Sequence, residues 1–322
     1  MITREAKLDI TQYFDLAPDE DQRLVLDMVE RFAAQHLASI HPVGAETENA
    51  FAQLGLTKIL VNFSDPILTA MICERFGARC VLTGLRLILP HLLFTAGQSD
   101  GLTNLAIAHR EGDQVEVMGL AFAPYQPIMV LFDHGSVLRI EWDDIANLEQ
   151  AQPVVSLQGC QIINGHMPYK PLRGVNLSGV DASECANRLV LVLLALLLGG
   201  IGRALEFGFD YAQHRKAFGK AIIGHQPVAF RLVDGMLKFN ALRLLILNEA
   251  ALFPEGRGVK SLVEETISAS AVVLRDVMQN CGGHGYITGI EINTLFQTNS
   301  LCRAMLSNLS RAFLTYPNLE TN

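Results

Sequence analysis

Two short segments of this sequence combine charged side chains with glycines in a way that could hold an anion. The first covers residues 211–226 and reads YAQHRKAFGKAIIGHQ. Arg215, Lys216 and Lys220 surround Gly219 there, between the end of one predicted helix and the start of the next. A guanidinium group beside the unpaired N–H groups of a helix N-terminus favours a pyrophosphate. Cations that offset the dipole of a helix C-terminus would give the same pattern, so both interpretations stay open.

The second segment covers residues 279–286 and reads QNCGGHGY after another predicted helix. Gly282 and Gly283 have no Cβ atom, so a ligand could approach the backbone closely. A glycine stop at the end of a helix would produce the same letters. A GGxG run alone is as unspecific as other short glycine motifs.

Four helices must position these two segments. Apolar periodicity predicts helices over residues 183–213, 226–253, 258–281 and 292–315, which places both segments at helix ends. The longest apolar run, residues 189–198, is shorter than the ~20 residues that a membrane span needs. Arg188 and Arg203 flank it. The run therefore predicts a buried core helix and no membrane span.

The remainder of the chain divides into a helical part and a strand part. Apolar spacing from Leu24 to Leu37, a capped start near Asp19 and a turn before Pro66 predict an N-terminal helical domain over residues 1–97. Short β-branched runs broken by Gly, Pro and Asp predict antiparallel strands over residues 98–180, packed as a small barrel or sandwich. Residues 181–322 complete an α+β fold with a four-helix bundle.

The composition limits the partners. The chain has 322 residues, of which 50% are hydrophobic and 18% charged, and a formal net charge of −8. No nucleic-acid partner is expected, because binding a phosphate backbone requires clustered Lys and Arg. The high apolar content suggests surface buried against other subunits. The N-terminal residues MITREAKLDI carry no apolar stretch, so a cytoplasmic location is expected. Six scattered cysteines without CxxC spacing predict neither a metal site nor disulfides.

Together, the two segments resemble the signature of the acyl-CoA dehydrogenase family, in which RxxFGKxI...Q is followed by QxxGGxGY. Weaker likenesses lie near the N-terminus, with RFA at 31–33, FAQLGL at 51–56 and ERFG at 74–77. The resemblance spans most of the chain and is strongest after Asn187. It implies N-terminal helices, a middle β-domain and a C-terminal four-helix bundle, in dimers or tetramers that use FAD.

In that family, residues of both segments reach across a subunit interface to the ADP half of a neighbour's FAD. The resemblance implies that Arg215 would neutralise the pyrophosphate and that Phe218 would pack on the cofactor. His284 could form a hydrogen bond near it. The full set of implied cofactor residues is Arg215, Phe218, Gln226, Gln279, Gly282 and Gly283.

The sequence departs from the family where the catalytic carboxylate is expected. That base removes the α-proton of the thioester, and the position at which it most often follows GGxGY is Leu306 here. A less common position early in the first bundle helix corresponds to Leu189. Neither leucine can accept a proton. The remaining candidates are Glu291 and Glu184, followed by Glu206 and Glu249. Each of them would also be explained as a solvated helix residue without a catalytic role. The TEPxAGSD stretch and the family's flavin-side tryptophan motif are missing too, so Trp142 is predicted to be structural.

These departures leave three hypotheses. The first is a half-site subunit that completes the FAD site of a paralogous, catalytic acyl-CoA dehydrogenase chain, in a heteromeric complex that desaturates acyl-CoA thioesters of lipid or steroid catabolism. The second is a self-sufficient dehydrogenase that uses a non-standard base. The third is a structural homologue without cofactor. The first is preferred, because a scaffold would not require the retained cofactor residues.

Overall fold

The computed structural model describes residues 16–37, 44–92, 104–112, 114–123, 126–133, 135–142, 160–168, 175–177, 181–254 and 259–314. Within these ranges the chain forms helices, then a sheet, then helices again, which confirms the predicted α+β class. The two expected domain boundaries, after residues 97 and 180, lie outside the described residues. The first group of helices comprises α1 (Glu20–His36), α2 (Ala45–Gln53), α3 (Thr57–Asn62), α4 (Pro66–Gly77) and α5 (Val81–Leu92).

Aspartates cap two of these helices. The Asp19 carboxylate accepts from the Gln22 backbone N–H (2.7 Å), and the Gln22 side chain accepts from the Asp19 N–H (3.0 Å). This reciprocal capping box confirms the predicted start of α1. Asp65 caps α4 by accepting from the Leu68 N–H (2.9 Å). The Gln22 amide also donates to Asp65 (2.8 Å), so the two helix starts are tied together.

The middle of the chain forms one six-stranded sheet. Its strands are β1 (Asn104–Glu111), β2 (Gln114–Ala121), β3 (Ile128–Phe132), β4 (Val137–Ile140), β5 (Gln161–Pro168) and β6 (Val175–Asn176), in the order β5-β2-β1-β3-β4-β6. The described strands therefore form an open row with β5 and β6 at its edges. The prediction of purely antiparallel strands is wrong for one pair, because β1 and β3 run parallel. After the β1–β2 hairpin the chain crosses to the other side of β1, which leaves β3 pointing the same way as β1.

Asn104 stabilises this crossover. Its buried amide donates to the Ala123 carbonyl (2.6 Å) and to the Gln126 carbonyl (3.1 Å), and it accepts from the Ala123 N–H (2.9 Å). Successive strand residues point to opposite faces, so Leu105 and Ile107 join the main core while Ala106 and Ala108 join a separate cluster. Trp142 packs against that second cluster.

The C-terminal bundle consists of α6 (Ala182–His214), α7 (Gln226–Ala251), α8 (Val259–Cys281) and α9 (Glu291–Phe313). These bounds agree with the predicted helices to within about two residues at each end. All residues from 189 to 201 are buried, as expected for a helix that is apolar on every side and surrounded by protein. By length and composition α6 could span a membrane, but 83% of its most apolar window is buried inside the protein. It therefore serves as the core helix of the bundle.

Two glycines bring the N-terminal helices into backbone contact with the bundle. A Cβ atom on Gly77 of α4 would lie 2.0 Å from the Leu196 carbonyl oxygen, and one on Gly199 of α6 would lie 2.0 Å from the Glu74 carbonyl oxygen. The Glu74 carboxylate also forms an ion pair with Arg243 of α7 (3.0 Å), with both side chains mostly buried. Helix α4 is thus held against two bundle helices.

Candidate functional site

The two glycine-containing segments meet at one end of the bundle. Helices α6 and α8 end there, and α7 and α9 begin there, because neighbouring bundle helices alternate in direction. The Tyr211 hydroxyl donates to the Cys281 carbonyl oxygen (3.2 Å) and lies 3.0 Å from Nδ1 of His284. Arg231 of α7 donates to the Asn280 side chain (3.3 Å). These contacts join the first segment and α7 to the second segment. We call this region the motif end.

A tight hairpin projects from the motif end. Strands β7 (Lys216–Ala217) and β8 (Lys220–Ala221) pair in antiparallel fashion. Phe218 and Gly219 connect them with φ values of 52° and 81°, and two successive left-handed residues are typical of a type I′ turn. A bulky residue at positive φ is uncommon. The Phe218 side chain is 96% exposed, so an apolar ring is presented to the surroundings on a turn that disfavours it. Such a combination of strain and exposure is typical of contact sites.

Arg215 is available to bind an anion. It follows the last residue of α6, where its N–H donates to the Tyr211 carbonyl (2.8 Å) and its carbonyl accepts from the Ile222 N–H (2.8 Å). Its exposed guanidinium makes no hydrogen bond or ion pair with any residue that the structure describes. The other residues predicted to contact the cofactor are likewise exposed; they are Phe218, Gln226, Gln279, Gly282 and Gly283.

The glycines of the second segment differ in what they permit. A Cβ atom on Gly285 would lie 2.7 Å from the Met278 carbonyl oxygen, so this glycine lets the chain return against α8. Gly282 has a φ of 58°, which favours glycine by itself. Gly283 has neither feature, and a Cβ atom there would meet no described atom within 4 Å. Internal packing therefore does not explain Gly283, whereas close approach of an external group would.

The start of α7 adds unpaired backbone donors. His225 precedes this helix without capping it through its side chain, within the described part of the chain, and Pro227 occupies the first turn. The first N–H groups of a helix have no partner inside the helix and attract anions. Lys220 lies beside this helix start and donates to the Gly224 carbonyl (2.8 Å). The motif end thus offers cations, unpaired N–H groups, an exposed ring and an accessible glycine backbone. Together these groups fit the ADP half of FAD.

Both positions at which the family would supply its base are buried. Leu306 lies in the interior of α9 and Leu189 lies near the start of α6, each 0% exposed. A carboxylate at either position would have to be buried among apolar side chains, which disfavours its charged form.

Arginines pair with three of the four candidate carboxylates. Glu291 accepts two hydrogen bonds from Arg203, at 2.5 Å from Nε and 2.8 Å from Nη2. These hydrogen bonds are the main reason why the pKa of Arg203 is raised. Glu206 is 3.3 Å from the same guanidinium, and Glu184 pairs with Arg188. Taking up a proton would weaken each ion pair, so none of the three is arranged as a general base.

Glu249 lies at the other end of the bundle. Burial raises the pKa of its carboxyl group. It lines a partly open cavity of about 190 Å³ together with Val190, Leu194, Phe253 and Phe313. These residues come from the first half of α6 and from the last turns of α7 and α9 or just beyond them, whereas the motif end lies at the start of α7 and α9. The bundle therefore separates Glu249 from the predicted cofactor residues.

Sequence reasoning missed the role of Tyr211 in this arrangement. The residue lies in the last turn of α6, four positions before Arg215 in the first segment. That spacing was the available signal. Its partners, Cys281 and His284, are 70 and 73 residues away in the chain, so only the folded structure shows the contact.

Comparison with known proteins agrees with this fold. Residues 182–305 match the family model "Acyl-CoA dehydrogenase, C-terminal domain". Over 109 residues the chain is 31% identical to an acyl-CoA dehydrogenase of Bacillus subtilis, a match that covers 33% of this chain and 29% of the relative. Over 98 residues it is 31% identical to the caffeyl-CoA reductase-Etf complex subunit CarC of Acetobacterium woodii, covering 29% and 26% of the two chains. The chain thus matches less than a third of the length of these relatives.

Solved structures extend the likeness to almost the whole chain. Butyryl-CoA dehydrogenase from Megasphaera elsdenii superposes with a TM-score of 0.63 at 14% identity and covers 92% of this chain and 98% of its own. A chain of the ChsE4-ChsE5 complex from Mycobacterium tuberculosis gives 0.62 at 16% identity, covering 92% and 96%. At these identities the likeness shows the fold alone. Residues 182–305 therefore form an acyl-CoA dehydrogenase C-terminal domain, and the chain as a whole has the acyl-CoA dehydrogenase fold.

Proposed function

We propose that this chain is a half-site subunit of a heteromeric acyl-CoA dehydrogenase. It would present its motif end to the ADP half of an FAD whose flavin is held by a paralogous, catalytic chain. The assembly would desaturate acyl-CoA thioesters, with lipid or steroid acyl groups as the expected class. One contrast carries the proposal, because the predicted cofactor residues are exposed together at one bundle end while both base positions are buried leucines.

The residues of the motif end have distinct roles in this proposal. The Arg215 guanidinium would pair with the pyrophosphate, which a planar group with several N–H donors suits well. The Phe218 ring would pack on the cofactor, and Gln226 and Gln279 would offer amide hydrogen bonds. Gly283 would admit the cofactor close to its backbone. FAD, when bound, would supply the acceptor for the hydride that leaves the β-carbon of the acyl chain.

The arrangement of carboxylates argues against a self-sufficient enzyme. Abstraction of the α-proton needs a base within hydrogen-bonding reach of the substrate. Glu291, Glu206 and Glu184 are engaged by arginines, and Glu249 lies away from the motif end. The catalytic carboxylate would therefore come from the partner.

The motif end also argues against a scaffold without cofactor. A structural role would not require an exposed guanidinium that lacks a described partner, or a phenylalanine in the left-handed region. Two of the similar proteins are named as parts of complexes, the caffeyl-CoA reductase-Etf complex and the ChsE4-ChsE5 complex. Their names support an assembly with another chain.

Flavin content tests the proposal. The protein is purified alone and after co-expression with the acyl-CoA dehydrogenase-like chain that is encoded nearest to it, and FAD is quantified in both samples. The proposal predicts FAD only in the co-purified complex. FAD bound stoichiometrically to the lone chain would support a self-sufficient enzyme instead, and a complex without FAD would support a scaffold.

A further inference from the structure

A partly open cavity of about 190 Å³ lies at the end of the bundle opposite the motif end. All four bundle helices contribute to it, through the first half of α6, the end of α7, the start of α8 and the end of α9. Clefts between the helices of a bundle are common ligand sites. We call it the Glu249 cavity. It is larger than a cavity of about 150 Å³ that accepts benzene, so a molecule of roughly six to eight non-hydrogen atoms fits.

The wall of the Glu249 cavity is mostly apolar and is held in place from outside the bundle. Val190 and Leu194 lie one turn apart on α6 and are buried. The Phe253 ring packs on the ring of Phe63, with 4.8 Å between their centroids. The Arg188 guanidinium lies 5.5 Å from the centroid of the same Phe63 ring. Phe63 belongs to the N-terminal helical part, so that part fixes one wall of the cavity before any ligand binds.

Three polar side chains also line the cavity; they are Asn187, Glu249 and Lys260. Lys260 donates to the Leu314 carbonyl oxygen (3.2 Å) and so satisfies an open carbonyl group at the end of α9. Glu249 differs, because no described residue donates a hydrogen bond to its carboxylate or forms an ion pair with it. Burial alone raises the pKa of this carboxyl group. The cavity therefore contains a half-buried carboxylate that lacks a cation.

We propose that the Glu249 cavity binds a small primary amine, with the Glu249 carboxylate as the ion-pair partner of its ammonium group. The Asn187 amide, which also has no hydrogen-bond partner among the described residues, accepts a second N–H through its oxygen. Phe253 and Phe313 contact the apolar body of the amine, and aromatic rings attract cations as well. The ammonium group supplies the opposite charge and the hydrogen bonds that a half-buried carboxylate requires.

The charges of the wall favour an amine over other ligands. A carboxylic acid would bring a second carboxylate towards Glu249, and like charges in one site disfavour each other. A neutral alcohol would leave the Glu249 charge without a counter-ion. The described part of the chain holds no group of three side chains that could bind a metal ion. An organic cation therefore accounts for the site better than a metal ion does.

The site is separate from the one proposed for FAD. Neither Leu189 nor Leu306, the two positions of the family's base, lines the Glu249 cavity, and none of the predicted cofactor residues does. The inference does not depend on the half-site role. Flavin content and amine binding are measured separately, so either idea can fail without the other.

Three probes of similar size and different charge test the proposal. Benzylamine, benzyl alcohol and benzoate are titrated calorimetrically into the full-length chain at millimolar concentrations. A hydrogen bond to a charged group changes an equilibrium constant by roughly tenfold or more. Benzylamine should therefore bind at least about tenfold more tightly than benzyl alcohol, and benzoate should bind more weakly than either. A folded chain that does not bind benzylamine, or that binds all three probes equally, would overturn the proposal.

Variants locate the binding in the cavity. Glu249→Gln should lower the affinity for benzylamine by about tenfold or more and abolish its preference over benzyl alcohol. Phe253→Ala should weaken both probes alike and keep the preference, because it removes apolar wall and no charge. Asp234→Asn is the matched control, since it removes an exposed carboxylate from the same helix fifteen residues away, about 22 Å. It should leave benzylamine binding unchanged.

Lys260→Gln distinguishes an amine site from a carboxylate site. It removes a positive charge from the wall, so benzylamine should bind at least as tightly as to the parent chain. Circular dichroism confirms that each variant is folded. Benzoate binding that exceeds benzylamine binding and is lost in Lys260→Gln would refute the amine and show a carboxylate site instead. Unchanged benzylamine affinity in folded Glu249→Gln, or an equal loss in Asp234→Asn, would refute the role of Glu249.

Discussion

Replacing Arg215 tests the assignment of the motif end as a cofactor surface. The exposed Arg215 guanidinium has no hydrogen-bond or ion-pair partner among the described residues, so truncation should hardly affect stability. A hydrogen bond to a charged group contributes about 1.5–3 kcal/mol, which corresponds to roughly a 10- to 150-fold change in an equilibrium constant. We expect Arg215→Ala to weaken FAD binding of the assembled complex by that factor, as measured by titrating the deflavinated complex with FAD.

Two further variants separate charge from geometry and from general effects. Arg215→Lys keeps the charge but loses the planar donor pair, so it should give an intermediate affinity. Arg275→Ala removes another exposed arginine, one that pairs with Asp276 on α8, and should leave FAD binding unchanged. Equal FAD affinity of Arg215→Ala and the parent complex would refute the reasoning, as would an equal loss in Arg275→Ala.

Four other changes have defined outcomes. Gly199→Ala places a Cβ atom 2.0 Å from the Glu74 carbonyl oxygen and should lower the free energy of unfolding by about 1–3 kcal/mol, the usual range for overpacking, in urea titrations. An unchanged midpoint would contradict the close helix crossing. Tyr211→Phe removes the hydroxyl that connects the two segments. The variant should lower FAD retention of the complex with little change in melting temperature. Normal FAD retention would show that the contact is not required. Leu306→Glu should give no flavin reduction by acyl-CoA in the chain alone, since the flavin-holding residues would still be missing; turnover by that variant alone would contradict the half-site assignment. Burial raises the pKa of Glu249, so the folded state binds this proton more tightly than the unfolded state does. The free energy of unfolding therefore falls as the pH rises from the pKa of Glu249 in the unfolded state through its pKa in the folded state. Glu249→Gln should remove that part of the pH dependence of unfolding, and an identical pH profile would refute the role of burial.

Local sequence patterns predicted most of the helices and the location of the candidate site. Apolar periodicity identified the bundle helices because each buries a face, and Asp19 marked the start of α1 through its capping box. Both motifs were expected at helix ends, and the predicted cofactor residues are exposed at one end of the bundle. Their assignment to FAD stays a prediction.

Features that depend on distant contacts could not be predicted in this way. The parallel pairing of β1 and β3 follows from a crossover that Asn104 stabilises through residues 19 and 22 positions away. The backbone contact between Gly77 and α6 joins residues that are far apart in the chain, and neither local sequence indicates the other. The same holds for the Tyr211 bridge. Periodicity describes one element at a time, whereas these contacts are set by how the elements pack.

The stoichiometry of bound FAD in the purified heteromeric complex tests the half-site assignment most directly. The amount of flavin released on denaturation is divided by the amount of each polypeptide. A half-site subunit predicts one FAD for each pair of unlike chains, because this chain contributes only its motif end to a flavin held by the other. Two FAD molecules for each such pair would mean that this chain holds a flavin of its own, and would contradict the assignment.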